Sequence, residues 1–139
     1  MIELDNRTSF KINLNLAEKI TKSLTSKDIE LVVTDSKEMQ EINLSHRNIN
    51  SDTDVLSFPY DDMPMAPLGS IVISYEHVKI KAKELKHTED DEFNLLYIHG
   101  LLHLLGYDHE VDNGQMRNKE KELIKIFDLP ESLIVRNNG

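Results

Sequence analysis

The residues best suited to chemistry lie in one short stretch, His99-Gly100-Leu101-Leu102-His103-Leu104-Leu105-Gly106-Tyr107-Asp108-His109. On a helix, His99 and His103 are four residues apart and project from the same face, so two imidazoles can share one ion. Gly106 follows at a position where a left-handed glycine ends a helix. The chain would then turn back, which makes His109 a candidate third ligand. Three neutral imidazoles suit zinc and leave a fourth position open, as in catalytic rather than structural sites. The chain has no cysteine, so a thiolate site, a disulfide and a cysteine nucleophile are all excluded. Zinc held this way lowers the pKa of water to about 7. The same ligands also accept nickel, copper or iron, so zinc rests on availability as well as on donor type. The remaining histidines, His46, His77 and His87, are isolated and read as exposed or ordinarily packed.

The frame H-G-x-x-H-x-x-G-x-x-H has the spacing of the metzincin protease motif at every position but one. In those proteases a glutamate beside the first histidine is the general base. Here that place is taken by Gly100, which has no side chain to accept a proton. The ligand spacing of a zincin is kept without its proteolytic base, which argues against a conventional metalloprotease.

The elements that must carry these residues follow from periodicity and capping signals. Met1 to Asn6 reads as a short edge strand, and Leu14 to Leu24 as a helix with Leu16, Ala17, Ile20 and Leu24 on one face. Asp28 to Thr34 is a strand. A helix follows from Ser36, with Asp35 and Glu38 resembling a capping box and Met39, Ile42 and His46 inward. Thr53 to Phe58 and Leu68 to Ser74 are strands, the second rich in β-branched residues. Pro59 to Pro67 is a loop holding three of the four prolines, read as an insertion within a domain. Ser74 caps a helix to about Lys86, with Val78, Ala82 and Leu85 inward. Thr88 and Asp91 start a longer helix over Glu89 to Leu105, which carries the histidine pair. A last helix covers Gln115 to Phe127. The expected architecture is α+β: a small mixed sheet of about four strands packed with about five helices.

The length of 139 residues fits a single domain, 1–139, with a core of its own. Hydrophobic residues make up 39% and charged residues 29%, so the chain is expected to be globular rather than disordered. No apolar run is long enough for a membrane span. The N-terminus lacks the pattern of a secretory signal, so a cytoplasmic location is expected. The net charge of −9 makes nucleic acid a poor default partner, although a local basic face can act within a net-negative molecule.

The histidine stretch resembles, almost residue for residue, the zinc motif of the YbeY endoribonucleases, a family of ribosomal RNA maturation factors. Asn43-Leu44-Ser45-His46-Arg47 with Thr53-Asp54-Val55-Leu56-Ser57-Phe58-Pro59 resembles its second hallmark, and Leu68 to Ser74 a third. Many members have aspartate where this chain has Ser70, so Ser70 is left out of the site, with Gly69 expected to supply unusual backbone geometry. The resemblance implies a zincin-like metal helix and metal-dependent cleavage of single-stranded RNA. It also implies a role in 3′-end maturation of small-subunit (16S) ribosomal RNA and in ribosome quality control. By position, His99, His103 and His109 would hold one Zn2+, and Arg47 would lie in the cleft. The implied partners are single-stranded RNA and the ribosomal small subunit with its assembly proteins; neither DNA nor a membrane is expected.

Arg47 can grip a phosphate through its planar fork, or it can be a solvated cation at a helix end. Asp108 can orient a ligand, approach the metal or simply build a turn; Asp52 and Asp54 flank Thr53 and can line a cleft. None is assigned as a base. Lys79, Lys83 and Lys86 form one candidate RNA-binding stripe. Arg117, Lys119, Lys121 and Lys125 form another, although Glu120 and Glu122 mark that helix face as solvated. Two other functions fit the same residues: a zinc metallopeptidase-like hydrolase, and a non-catalytic ribosome assembly factor with a metal-stabilised fold.

Overall fold

A computed structural model describes residues 1–108 and 113–130. Its elements run β1 (Ile2–Asn6), α1 (Asn15–Leu24), β2 (Ile29–Thr34), α2 (Ser36–Arg47), β3 (Val55–Pro59), β4 (Gly69–Ser74), α3 (Tyr75–Leu85), α4 (Glu89–Leu104) and α5 (Gln115–Ile126). The strands form one mixed sheet in the order β1-β2-β4-β3, with β1, β2 and β4 parallel and β3 antiparallel to β4. This is the α+β architecture expected from the sequence.

Strand alternation divides the sheet into two faces. Ile29, Leu31 and Val33 of β2 lie in register with Gly69, Ile71 and Ile73 of β4 and face the larger core. Ala17 and Ile20 of α1, Val78 of α3 and Phe93, Tyr97, Ile98 and Leu101 of α4 close over them. The other face is small: Leu56 and Val72 pack against Met39 of α2, with Val32, Ile42 and Phe58 around them. Helix α4 runs through the middle and is buried on almost every side, from Glu92 to Leu104 except at His99 and His103. Tyr97 illustrates the depth: its hydroxyl bonds Thr21 Oγ1 at 2.7 Å, and burial pushes the phenol pKa well up.

Several local expectations are refined. Asp35 accepts from the Glu38 amide at 2.8 Å, but the Glu38 carboxylate does not return the bond. It takes the Thr34 hydroxyl and, at 2.8 Å, Arg7, and these partners hold its pKa below the usual range. Thr88 and Asp91 do form the reciprocal box at the start of α4. The Ser74 side chain makes no cap bond, and His46 is exposed. Pro59 belongs to β3, opposite Gly69, so residues 60–68 are the long connection of an antiparallel hairpin. Gly69 does not take a positive φ. What it provides is room: a Cβ there would meet the Phe58 carbonyl oxygen at 2.5 Å and Leu104 Cδ2 at 2.7 Å.

No described helix is long and apolar enough to cross a membrane.

Candidate functional site

The C-terminal half of α4 places His99 and His103 on one face, with ring centroids 4.8 Å apart and Nε2 atoms 3.2 Å apart. Two nitrogens bound tetrahedrally to one ion at about 2.0–2.1 Å would stand roughly 3.3 Å apart. The pair therefore already has the separation that shared ligation needs. Helix α4 ends just beyond it in a Schellman turn. Gly106 takes φ 99, its amide bonds the His103 carbonyl at 3.1 Å, and the Tyr107 amide bonds the Leu102 carbonyl at 3.0 Å. A Cβ at Gly106 would meet nothing within 4 Å among the described residues, and the φ of 99 is what favours glycine here. His109, expected as the third ligand, lies outside the described residues, and no group of three metal-binding side chains occurs among those described.

The histidine pair opens onto a cleft of about 540 Å³ also lined by Arg47, Thr53, Asp54, Val55, Ser57, Tyr107 and Asp108. Arg47 sits on the last turn of α2. Asn48, in the left-handed region at φ 57, reverses the chain there, and the buried Asn43 bonds the Ser51 carbonyl at 2.9 Å. Asn43 thus ties the following loop to α2 and sets the path that brings Thr53 and Asp54 to the cleft. Asp54 Oδ1 accepts the Val55 amide at 2.8 Å, so part of its carboxylate builds the strand start. Opposite, Ser57 of β3 donates to the Gly100 carbonyl at 3.0 Å and fixes α4 against the sheet edge.

Five of the sequence-derived candidates, Arg47, Asp54, His99, His103 and Asp108, thus share one cleft, whereas Asp52 does not line it. Asp52 lies 3.8 Å from His77 Nε2, and His77 Nδ1 is 3.1 Å from Ser74 Oγ. This Ser–His–Asp series is no nucleophile site, because Ser74 is fully buried at the helix start. Neither lysine stripe lines the cleft. Lys79 lies over the Tyr75 ring, and Lys119 pairs with Glu122. Ser70 faces Tyr60, away from the site.

Two buried carboxylates were not anticipated. Glu120 is not on a solvated face: it is 0% exposed, and its Oε1 lies 3.0 Å from His99 Nδ1. The signal was present, since Met116, Glu120, Leu123 and Ile124 form the buried stripe of α5 and a carboxylate inside such a stripe needs a partner. At the far end of α4, Glu92 is likewise 0% exposed and lies 2.9 Å from His87 Nε2, so His87 is packed against a carboxylate.

Fold and cleft together describe a small α+β enzyme with an open polar site at one sheet edge. The family model described as endoribonuclease YbeY matches residues 3–128. Proteins named endoribonuclease YbeY are similar over essentially the whole chain: one from Sulfurimonas denitrificans at 63% identity, covering 100% of both chains, and one from Nautilia profundicola at 57%, covering 99% of both. The solution structure of TM1509 from Thermotoga maritima is 27% identical and superposes with a TM-score of 0.64, covering 98% of this chain and 91% of that one. The chain belongs to the endoribonuclease YbeY family, and its enzyme class is that of an RNA-cleaving hydrolase.

Proposed function

We propose that this chain is a single hydrolase domain, a zinc-dependent endoribonuclease specific for single strands. It acts in the cytoplasm on the 3′ end of small-subunit (16S) ribosomal RNA and in ribosome quality control, together with the small subunit and its assembly proteins. The observation that carries the reading is the convergence of His99 and His103 Nε2, 3.2 Å apart, on a cleft that Arg47 also lines, in a chain of this family. His99 and His103, completed by His109, would hold the metal. A metal held there supplies Lewis acidity toward a phosphodiester and lowers the pKa of water.

The protein's own groups then do the rest. Arg47 can make two parallel hydrogen bonds to phosphate oxygens, orienting the scissile group and offsetting charge that grows on it. The open, polar cleft admits an extended strand, and bases that are not paired can splay along it. The net charge of −9 disfavours indiscriminate binding to polyanions, which leaves targeting to partners.

The direct test is metal removal. Dialysis against a chelator should abolish cleavage of a single-stranded RNA oligonucleotide, and stoichiometric zinc should restore it; a duplex of the same sequence should stay intact. Cleavage by the chelated protein at the loaded rate would overturn the reading.

Arg47→Lys gives a second expectation. Lysine keeps the charge but not the fork, so kcat should fall by about 10²-fold, the loss typical of one transition-state donor. Arg47 is exposed at a helix end, so the melting temperature should stay nearly constant. Steady-state kinetics on the same oligonucleotide would decide; an unchanged kcat would make Arg47 a solvated cation only.

A further inference from the structure

We propose that Glu120 is a positioning residue: its carboxylate fixes His99 as the Nδ1–H tautomer and so aims the Nε2 lone pair into the cleft beside His103. The proposal rests on the metal-site reading above and extends it to a residue on another helix, outside the histidine motif.

The argument starts from burial. Glu120 is 0% exposed, in the stripe that Met116, Leu123 and Ile124 use to dock α5. An apolar residue there would dock the helix at least as well, because a buried carboxylate is costly unless it is hydrogen-bonded. Its Oε1 lies 3.0 Å from His99 Nδ1. A carboxylate oxygen facing Nδ1 at this distance is an acceptor that a ring N–H at Nδ1 satisfies. A neutral imidazole protonated on Nδ1 presents a bare Nε2. That Nε2 is the atom 3.2 Å from His103 Nε2. Removing the Glu120 acceptor would shift His99 toward the Nε2–H form usual for an isolated imidazole, with a proton where the metal would sit. The ring would also lose one of the contacts that orient it, and χ2 of histidine is a broad torsion that relies on such contacts. Such outer partners typically govern metal affinity by 10–100-fold.

The test uses the full chain with Glu120→Leu, which fills the volume but accepts nothing, and Glu120→Gln, whose amide oxygen can still accept. Zinc affinity, measured by competition with a chromophoric chelator, should fall about 10–100-fold in Glu120→Leu and only a few-fold in Glu120→Gln. Nitrogen-15 spectra of the metal-free proteins should show His99 as Nδ1–H in wild type and Glu120→Gln, and shifted toward Nε2–H in Glu120→Leu. Wild-type zinc affinity in a folded Glu120→Leu would overturn the proposal. So would an Nε2–H tautomer in the wild type, a readout that needs no variant to fold. His99→Ala separates the two levels. If it binds zinc as tightly as the wild type, the metal-ligand reading itself has failed and this proposal falls with it. If it loses zinc while Glu120→Leu does not, only the role of Glu120 is wrong.

Discussion

His103→Ala should lower the rate of RNA cleavage by about 10³-fold or more while leaving the fold intact. The side chain is only partly buried and faces the cleft, so its removal opens no cavity in the core. What it removes is one of two nitrogens standing 3.2 Å apart. Metal assistance is worth several kcal/mol of transition-state stabilisation, and each 1.36 kcal/mol is tenfold in rate, which gives roughly 10³. Initial rates on a single-stranded oligonucleotide, with wild type and variant purified identically, measure the loss and control for contaminating nucleases. Thermal melting of the metal-free proteins checks the fold. A folded variant that cleaves at the wild-type rate would place the activity outside the histidine pair. It would also favour a non-catalytic assembly factor over an enzyme acting through this site.

How far the sequence predicts such a site depends on whether the information is local. The same-face placement of His99 and His103 follows from helical periodicity, and Gly106 ends the helix because only its backbone tolerates φ 99 there. Thr88 with Asp91 marks the start of α4 by a bond within one turn. Short runs rich in apolar and β-branched residues mark the central strands. None of these needs knowledge of a distant partner. The strand order does, and so does the identity of each buried charge's partner. Helical spacing puts Glu120 in the stripe of Met116, Leu123 and Ile124, but its partner emerges only when α5 is docked on α4 and its carboxylate meets His99, 21 residues away in sequence. His87 looks isolated until Glu92 proves to be the buried end of an acidic run. Asp35 and Glu38 have the spacing of a reciprocal cap, yet Thr34 and Arg7 win the Glu38 carboxylate because the neighbouring strands deliver them. Gly69 and Gly100 were read for conformation or missing chemistry, whereas both are set by how closely other segments of the chain approach.

Gly100→Glu, which completes the metzincin signature, should therefore unfold or severely destabilise the protein rather than create a peptidase. The lack of a side chain at this position is a packing requirement of the fold. A Cβ on Gly100 would meet Ile71 Cγ2 at 2.9 Å, Ser57 Oγ at 3.1 Å and Val55 Cγ2 at 3.3 Å. Ile71 is fully buried at the sheet centre, and its branched side chain is stiff at χ1, so it cannot swing away cheaply. The Gly100 carbonyl also accepts the hydroxyl of Ser57, a cleft-lining residue, at 3.0 Å, a bond that pins β3 to α4. Gly100→Ala sets two effects against each other: alanine gains about 1 kcal/mol of helix propensity, and overpacking costs about 1–3 kcal/mol. A small net loss is expected. Glutamate adds a carboxylate driven between helix and sheet, and burying that charge without a partner costs several kcal/mol more. At roughly 3 °C per kcal/mol for a domain of this size, the melting temperature should drop by more than about 10 °C, against a few degrees for Gly100→Ala. Thermal melts of both variants, with a peptide panel assayed beside RNA, would decide. A Gly100→Glu protein of wild-type stability that hydrolyses peptides would show that this face of α4 opens to the cleft. Destabilisation without peptidase activity would mean that the sheet itself, by standing so close to α4, keeps this histidine frame from becoming a protease.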